Sequence, residues 1–226
     1  MVQQGGDDFQ RYVEESRENE MLPEIWEPEL KVVFVGTAVV EPSDTLGFYH
    51  LHPRDRFWEL LEVNAITPTR IISKQERKAM ADGHANGSVS DPVRSMFIQK
   101  RTSQLLRLGV GLTDLNRRVV ALNEKDKAAR PNQEDLQQFI VKAEKLNPKI
   151  LALVTAPEIF VDVFKSRYPG CCDTPGMQPF RVGHSEVWLL GSTIASVRGE
   201  ALEKQEDVFF ALGERLSGLK ADKAIE

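Results

Sequence analysis

Residues 31–61 read KVVFVGTAVVEPSDTLGFYHLHPRDRFWELL, and this stretch decides the fold. Lys31 to Val35 is a short β-branched apolar run, the pattern of a strand buried on both faces. Gly36 is expected to end it, and a loop without helical periodicity follows. That loop carries two polar-aromatic clusters, Phe48-Tyr49-His50 and His52-Pro53-Arg54-Asp55-Arg56. Phe57-Trp58 then opens an amphipathic helix with Leu60, Leu61 and Val63. Functional groups of open α/β sheets lie beyond the carboxyl ends of their strands. Two histidines and two arginines are therefore gathered where a site is expected.

Further along, Lys74 to Met80 and Met96 to Leu108 read as helices around a polar loop at 82–88. Val110 to Leu115 reads as a short strand, and 116–130 as a charged connector. Asn132 starts a helix with Glu134 and Asp135 in its first turn and Leu136, Phe139, Ile140 and Ala143 on one face. Ile150 to Thr155 is another buried strand, followed by a helix from Pro157 to Ser166. Phe180–Val182 and Glu186–Leu190 are the last strands, and Val208 to Leu216 the closing helix. Strands alternating with helices predict a three-layer α/β/α sandwich around a mostly parallel sheet of four or five strands. Lys31–Val35, Ile150–Thr155 and Val187–Leu190 are expected to be parallel neighbours, with loops 36–56 and 191–198 at one edge.

Composition sets outer bounds. The 226 residues suit one domain, expected over 31–217 between an acidic arm at 1–30 and a tail at 218–226. The arm is expected to be mobile or a helix laid on the domain, with Trp26 packing near the first strand. Neighbouring Cys171 and Cys172 read as free thiols of a reducing compartment. No apolar run approaches membrane length. No basic-flanked apolar leader is visible, so a cytoplasmic or, in a eukaryote, nuclear setting is expected. The net charge of −5 is uneven. Residues 1–30 hold nine acids and two arginines, and residues 199–226 seven acids and four bases, so the stretch between them is net positive. A positive centre with acidic ends can present a basic face to phosphate.

The motifs add a resemblance. Gly36-Thr37-Ala38-Val39-Val40, Gly47-Phe48-Tyr49-His50 and His52-Pro53-Arg54-Asp55-Arg56-Phe57-Trp58 stand in the order of a GINPG-like strand end, a Gly-aromatic cluster and an HPxNRFW-like segment. Gly109-Val110-Gly111-Leu112-Thr113-Asp114-Leu115 and Val187 to Ala195 follow as a GxGLTD-like segment and a final strand with its loop. The chain thereby resembles the uracil-DNA glycosylase superfamily, in its mismatch-specific uracil and thymine DNA glycosylase branch. The resemblance implies monofunctional hydrolysis of the N-glycosidic bond of uracil or another deaminated base, as in base excision repair. It implies damaged or mismatched DNA as partner, a monomer, and neither cofactor nor metal. It also makes the region around the 82–88 loop an expected insertion.

The resemblance also assigns residues. His50, or its neighbour Tyr49, would stack on the flipped base, and Asp114 would read the base edge. Ser192, Thr193, Ser196 and Arg198, with Arg54 and Arg56, would grip phosphates. Thr37 and Ala38 occupy the catalytic strand end, where Ala38 replaces the family's water-positioning Asn. Glu41 and Asp44 are the nearby carboxylates that could replace it. Each residue also has a plainer use: a loop histidine bonded locally, a capping Asp, hydroxyl turns at a strand end, solvated arginines. Two other readings stay open. One is a catalytically degraded relative that binds DNA or a protein partner, and the other is a hydrolase of a small nucleoside.

Overall fold

The computed structural model describes residues 22–85, 90–121, 126–194 and 200–222. Strand β1 (Val32–Val40) sits inside a five-stranded sheet with β2 (Val110–Ala121), β3 (Ile150–Leu153), β4 (Gly176–Val182) and β5 (Ser185–Leu189). The order is β2-β1-β3-β5-β4. β1 pairs β2 and β3, and β3 pairs β5, in parallel, while β4 and β5 are antiparallel. The three predicted parallel neighbours, β1, β3 and β5, are adjacent.

Alternation along β1 builds the layers, because successive side chains point to opposite faces. Val32 and Phe34 join a cluster with Trp58, Leu105 and Phe209. Those residues come from helices α2 (Phe57–Val63), α4 (Asp91–Leu108) and α7 (Glu200–Asp222). Val33 and Val35 join Phe139, Ile140 and Phe160 on the other face. They come from α5 (Gln133–Leu146) and α6 (Pro157–Phe164). The result is a three-layer α/β/α sandwich. Among the described residues no helix is long and apolar enough to cross a membrane. Cys171 and Cys172 are free.

Several boundaries differ from the sequence expectation. β1 does not stop at Gly36. It runs on to Val40 because β2 pairs along it, Gly36 opposite Asp114 and Ala38 opposite Asn116. β2 in turn extends through Arg117 and Arg118 to Ala121, where a charged connector was expected. Helix α1 (Glu41–Leu46) occupies part of the expected loop. Pro42 sits in its first turn and Gly47, at φ 75°, closes it. α3 (Lys74–Ala85), α4 and α7 are longer than their apolar patterns suggest, and α6 ends earlier, at Phe164.

Residues 22–30 lie on the domain as an extended segment, not a helix. Ile25 makes an antiparallel bridge with Leu112, with N–O distances of 2.9 and 2.8 Å. Glu24 accepts from Thr113 and Lys142 and pairs with Arg117 at 2.7 Å. Trp26 packs on Phe139 of α5, in the cluster that also holds Val33 and Val35. Residues 1–21, and with them most of the expected arm, lie outside the described residues.

Candidate functional site

The extended β1 carries the site. Past Val35 it contributes Gly36, Thr37, Ala38, Val39 and Val40 to a cleft at the carboxyl edge of the sheet. Tyr49, His50 and Asp55 line it from the following loop, Asp114 from β2, and Thr193 and Ile194 from the loop after β5. Its empty space is about 650 Å³ counting the open mouth. Loops 36–56 and 191–194 thus meet at one edge, as expected. Asp55 bridges Ile194 in antiparallel fashion, and the Arg56 amide donates to the Thr193 carbonyl at 3.0 Å.

Asp114 is buried, 6% exposed, and lines the cleft. Register places it opposite Gly36, and one carboxylate oxygen lies against that glycine. Its Oδ2 has no hydrogen-bond partner among the described residues. Burial pushes its pKa up to about 7, against a smaller opposing pull from His50. The carboxyl is therefore present both protonated and ionised near neutral pH, able to donate or to accept.

Asp55 organises the loop facing it. Its Oδ2 meets His50 Nδ1 at 2.8 Å, and its Oδ1 accepts the Phe57 amide at 2.9 Å. The Thr193 side chain bonds to it as well. Burial raises the Asp55 pKa, but the His50 charge and these hydrogen bonds outweigh burial and hold it below the usual carboxylate value. The His50 ring stacks on Phe57, centroids 3.7 Å apart and planes 16° apart. Behind the loop lies Arg77 of α3, 1% exposed. Its guanidinium donates to the Asp55 carbonyl and bonds Glu59 at 3.1 Å. α3 is itself fastened by a reciprocal Ser73–Glu76 cap and by Glu76 pairing with Arg101 of α4. The expected insertion is thus the buttress of the site loop.

The structure gathers Thr37, Ala38, Tyr49, His50, Asp114 and Thr193 around one cleft. Asp44, in α1, Arg54, Arg56 and Ser192 lie outside its lining. Arg56 pairs with Glu206 of α7 at 2.6 Å. The Ser192 hydroxyl accepts the Ile194 amide at 3.3 Å, as a turn residue does. Ser196 and Arg198 lie outside the described residues, as does the side chain of Glu41. Thr37 shares a hydroxyl–hydroxyl bond with Thr155 at the end of β3. Sequence reasoning missed Arg77, Phe57 and the Ala121, Asp126 and Ala129 wall. Among the described residues no cluster of three His, Cys, Asp or Glu is placed to hold a metal ion.

One consequence is measurable at once. Arg77→Ala should destabilise the domain by about 2 kcal/mol, the scale of buried hydrogen bonds to a charged group. Denaturant unfolding reads the change, and a cost near zero would mean that Arg77 does not hold the loop.

No protein-family model matches the chain.

Proposed function

We propose that the cleft is the base pocket of a DNA glycosylase of the uracil-DNA glycosylase superfamily. It would hydrolyse the bond between deoxyribose and uracil, or another deaminated base, in damaged or mismatched DNA. The observation that carries this reading is Asp114, a buried carboxyl at the cleft whose Oδ2 has no partner among the described residues. A buried polar atom left unbonded costs free energy unless a ligand satisfies it. Uracil offers a matching edge. Its N3–H can donate to the ionised carboxylate, and its carbonyls can accept from the protonated acid.

Supporting this, the cleft sits at the strand ends, and His50 offers a ring for stacking. A base reaches such a pocket only by leaving the duplex, which favours damaged and mispaired bases because their stacking is weaker. Tyr49 lies buried beside His50. Arg54 and the loop from Ser192 onward, with Ser196 and Arg198, would meet the flanking phosphates.

A second reading is favoured by Ala38. It lines the cleft with a methyl group where the resemblance calls for a water-positioning amide. A protein of this kind would recognise the damaged base without cleaving it. Oligonucleotide binding and cleavage separate the two. The glycosylase releases free uracil from U:G, U:A or single-stranded DNA, and a binder prefers the uracil-containing duplex without releasing it. Equal affinity for damaged and undamaged duplex, with no release, would remove both.

A further inference from the structure

We propose that Asp55 and His50 form a carboxylate–imidazole dyad that moves the proton of the hydrolytic water at this site. The proposal rests on the glycosylase reading and names the group that does its proton work. Asp55 is 4% exposed and holds three groups at once: His50 Nδ1 at 2.8 Å, the Phe57 amide at 2.9 Å and the Thr193 side chain. An ionised carboxylate only accepts, so Nδ1 carries a proton in both ring states. Nε2 is left as the basic atom of a ring that lines the cleft.

The ring is also fixed in place. Phe57 covers one face at 3.7 Å. The His50 backbone lies in the left-handed region at φ 54°, a conformation costly for a residue with a Cβ. The charged groups lining the cleft with the ring are Asp55 from its own loop, Asp114 from β2 and Asp126.

In the reaction, the water oxygen bonds to C1′ of the sugar. The C1′–N1 bond breaks, and its electron pair leaves with the base. His50 Nε2 takes the proton released by the water, and Asp55 steadies the imidazolium. The same proton then passes to the departing base anion, so no further reagent is consumed. Asp55 acts through His50 and is a positioning residue.

The test is single-turnover uracil excision from a U:G duplex between about pH 5 and pH 9, with nitrogen NMR of the His50 ring. His50→Phe keeps an aromatic face. It should bind the uracil duplex within a few-fold of wild type and lose roughly 10²–10⁴-fold in excision rate. Asp55→Asn should shift the ring proton from Nδ1 towards Nε2 and lose a comparable factor in excision while binding the uracil duplex within a few-fold of wild type, a split between rate and binding that a purely structural role would not produce. Excision by His50→Phe within about threefold of wild type overturns the dyad and leaves the glycosylase reading standing. A wild type that excises nothing overturns both.

Discussion

Asp114→Asn should make the domain more stable at about pH 8 by several kcal/mol, and by clearly less at about pH 5. The folded-state pKa of Asp114 is about 7 and the unfolded value 3.8, so the folded protein holds a proton that the unfolded chain gives up across that window. Wild-type stability from this group is present in acid and is lost as pH rises through the folded pKa. At about 1.4 kcal/mol per pH unit, the whole shift is worth up to ~4 kcal/mol, of which ~2–3 kcal/mol falls between pH 5 and 7. Asn cannot ionise, so its advantage over wild type should grow by that amount across the window. Urea unfolding of both proteins at the two pH values measures it. An advantage that does not change with pH would show that the Asp114 carboxyl is ionised at no such cost, and that a ligand or water satisfies it.

Gly36→Ala should destabilise the domain by about 3 kcal/mol, the upper part of the range for overpacking a filled interior. A Cβ there would fall 2.1 Å from the Asp114 Oδ1 and 3.3 Å from its Cγ. Both residues are pinned by the β1–β2 register, and Asp114 has a short side chain with little room to swing. The strand or the carboxyl must move. Removing the obstacle should remove the cost. In an Asp114→Ala background, Gly36→Ala should cost under about 1 kcal/mol, a coupling of the size seen between residues in contact. Four unfolding curves close this cycle, and additive costs would contradict the contact. The glycine at the end of the apolar run is thus a partner of Asp114 within the strand, where the sequence suggested a stop.

These two residues show what a sequence can and cannot display. The buried runs 32–35 and 150–154 were legible because all their residues are apolar, and the Asn132–Asp135 capping box marked its helix directly. Asp114 was legible as a candidate through its motif. Its enclosure was not, because that depends on β2 pairing along the far half of β1. Arg117 and Arg118 hid that pairing by breaking the apolar pattern. The arginines are accommodated because Arg117 pairs with Glu24 and Arg118 with Asp135. Asp55 was visible only as a departure from an expected Asn. Its partners His50, Phe57 and Thr193 come from two separate loops, and no local periodicity reports such a convergence. Glu24 counted as one more acid of a solvated arm, yet it ties residues 22–30 to β2 and α5. Arg77 lay in a helix read as an insertion, and its burial follows from a carbonyl about twenty residues earlier in the chain.

The central claim is that this cleft receives a flipped uracil and that the protein cleaves it from DNA. Single-turnover incubation of the wild-type protein with a U:G duplex, scored for free uracil and for alkali-labile abasic sites, tests it most directly. The account predicts release of uracil by wild type. It also predicts faster release by Ala38→Asn, whose amide can hold the attacking water beside the dyad. Absence of release by wild type would contradict it, and release by Ala38→Asn alone would mark a pocket that receives uracil without cleaving it.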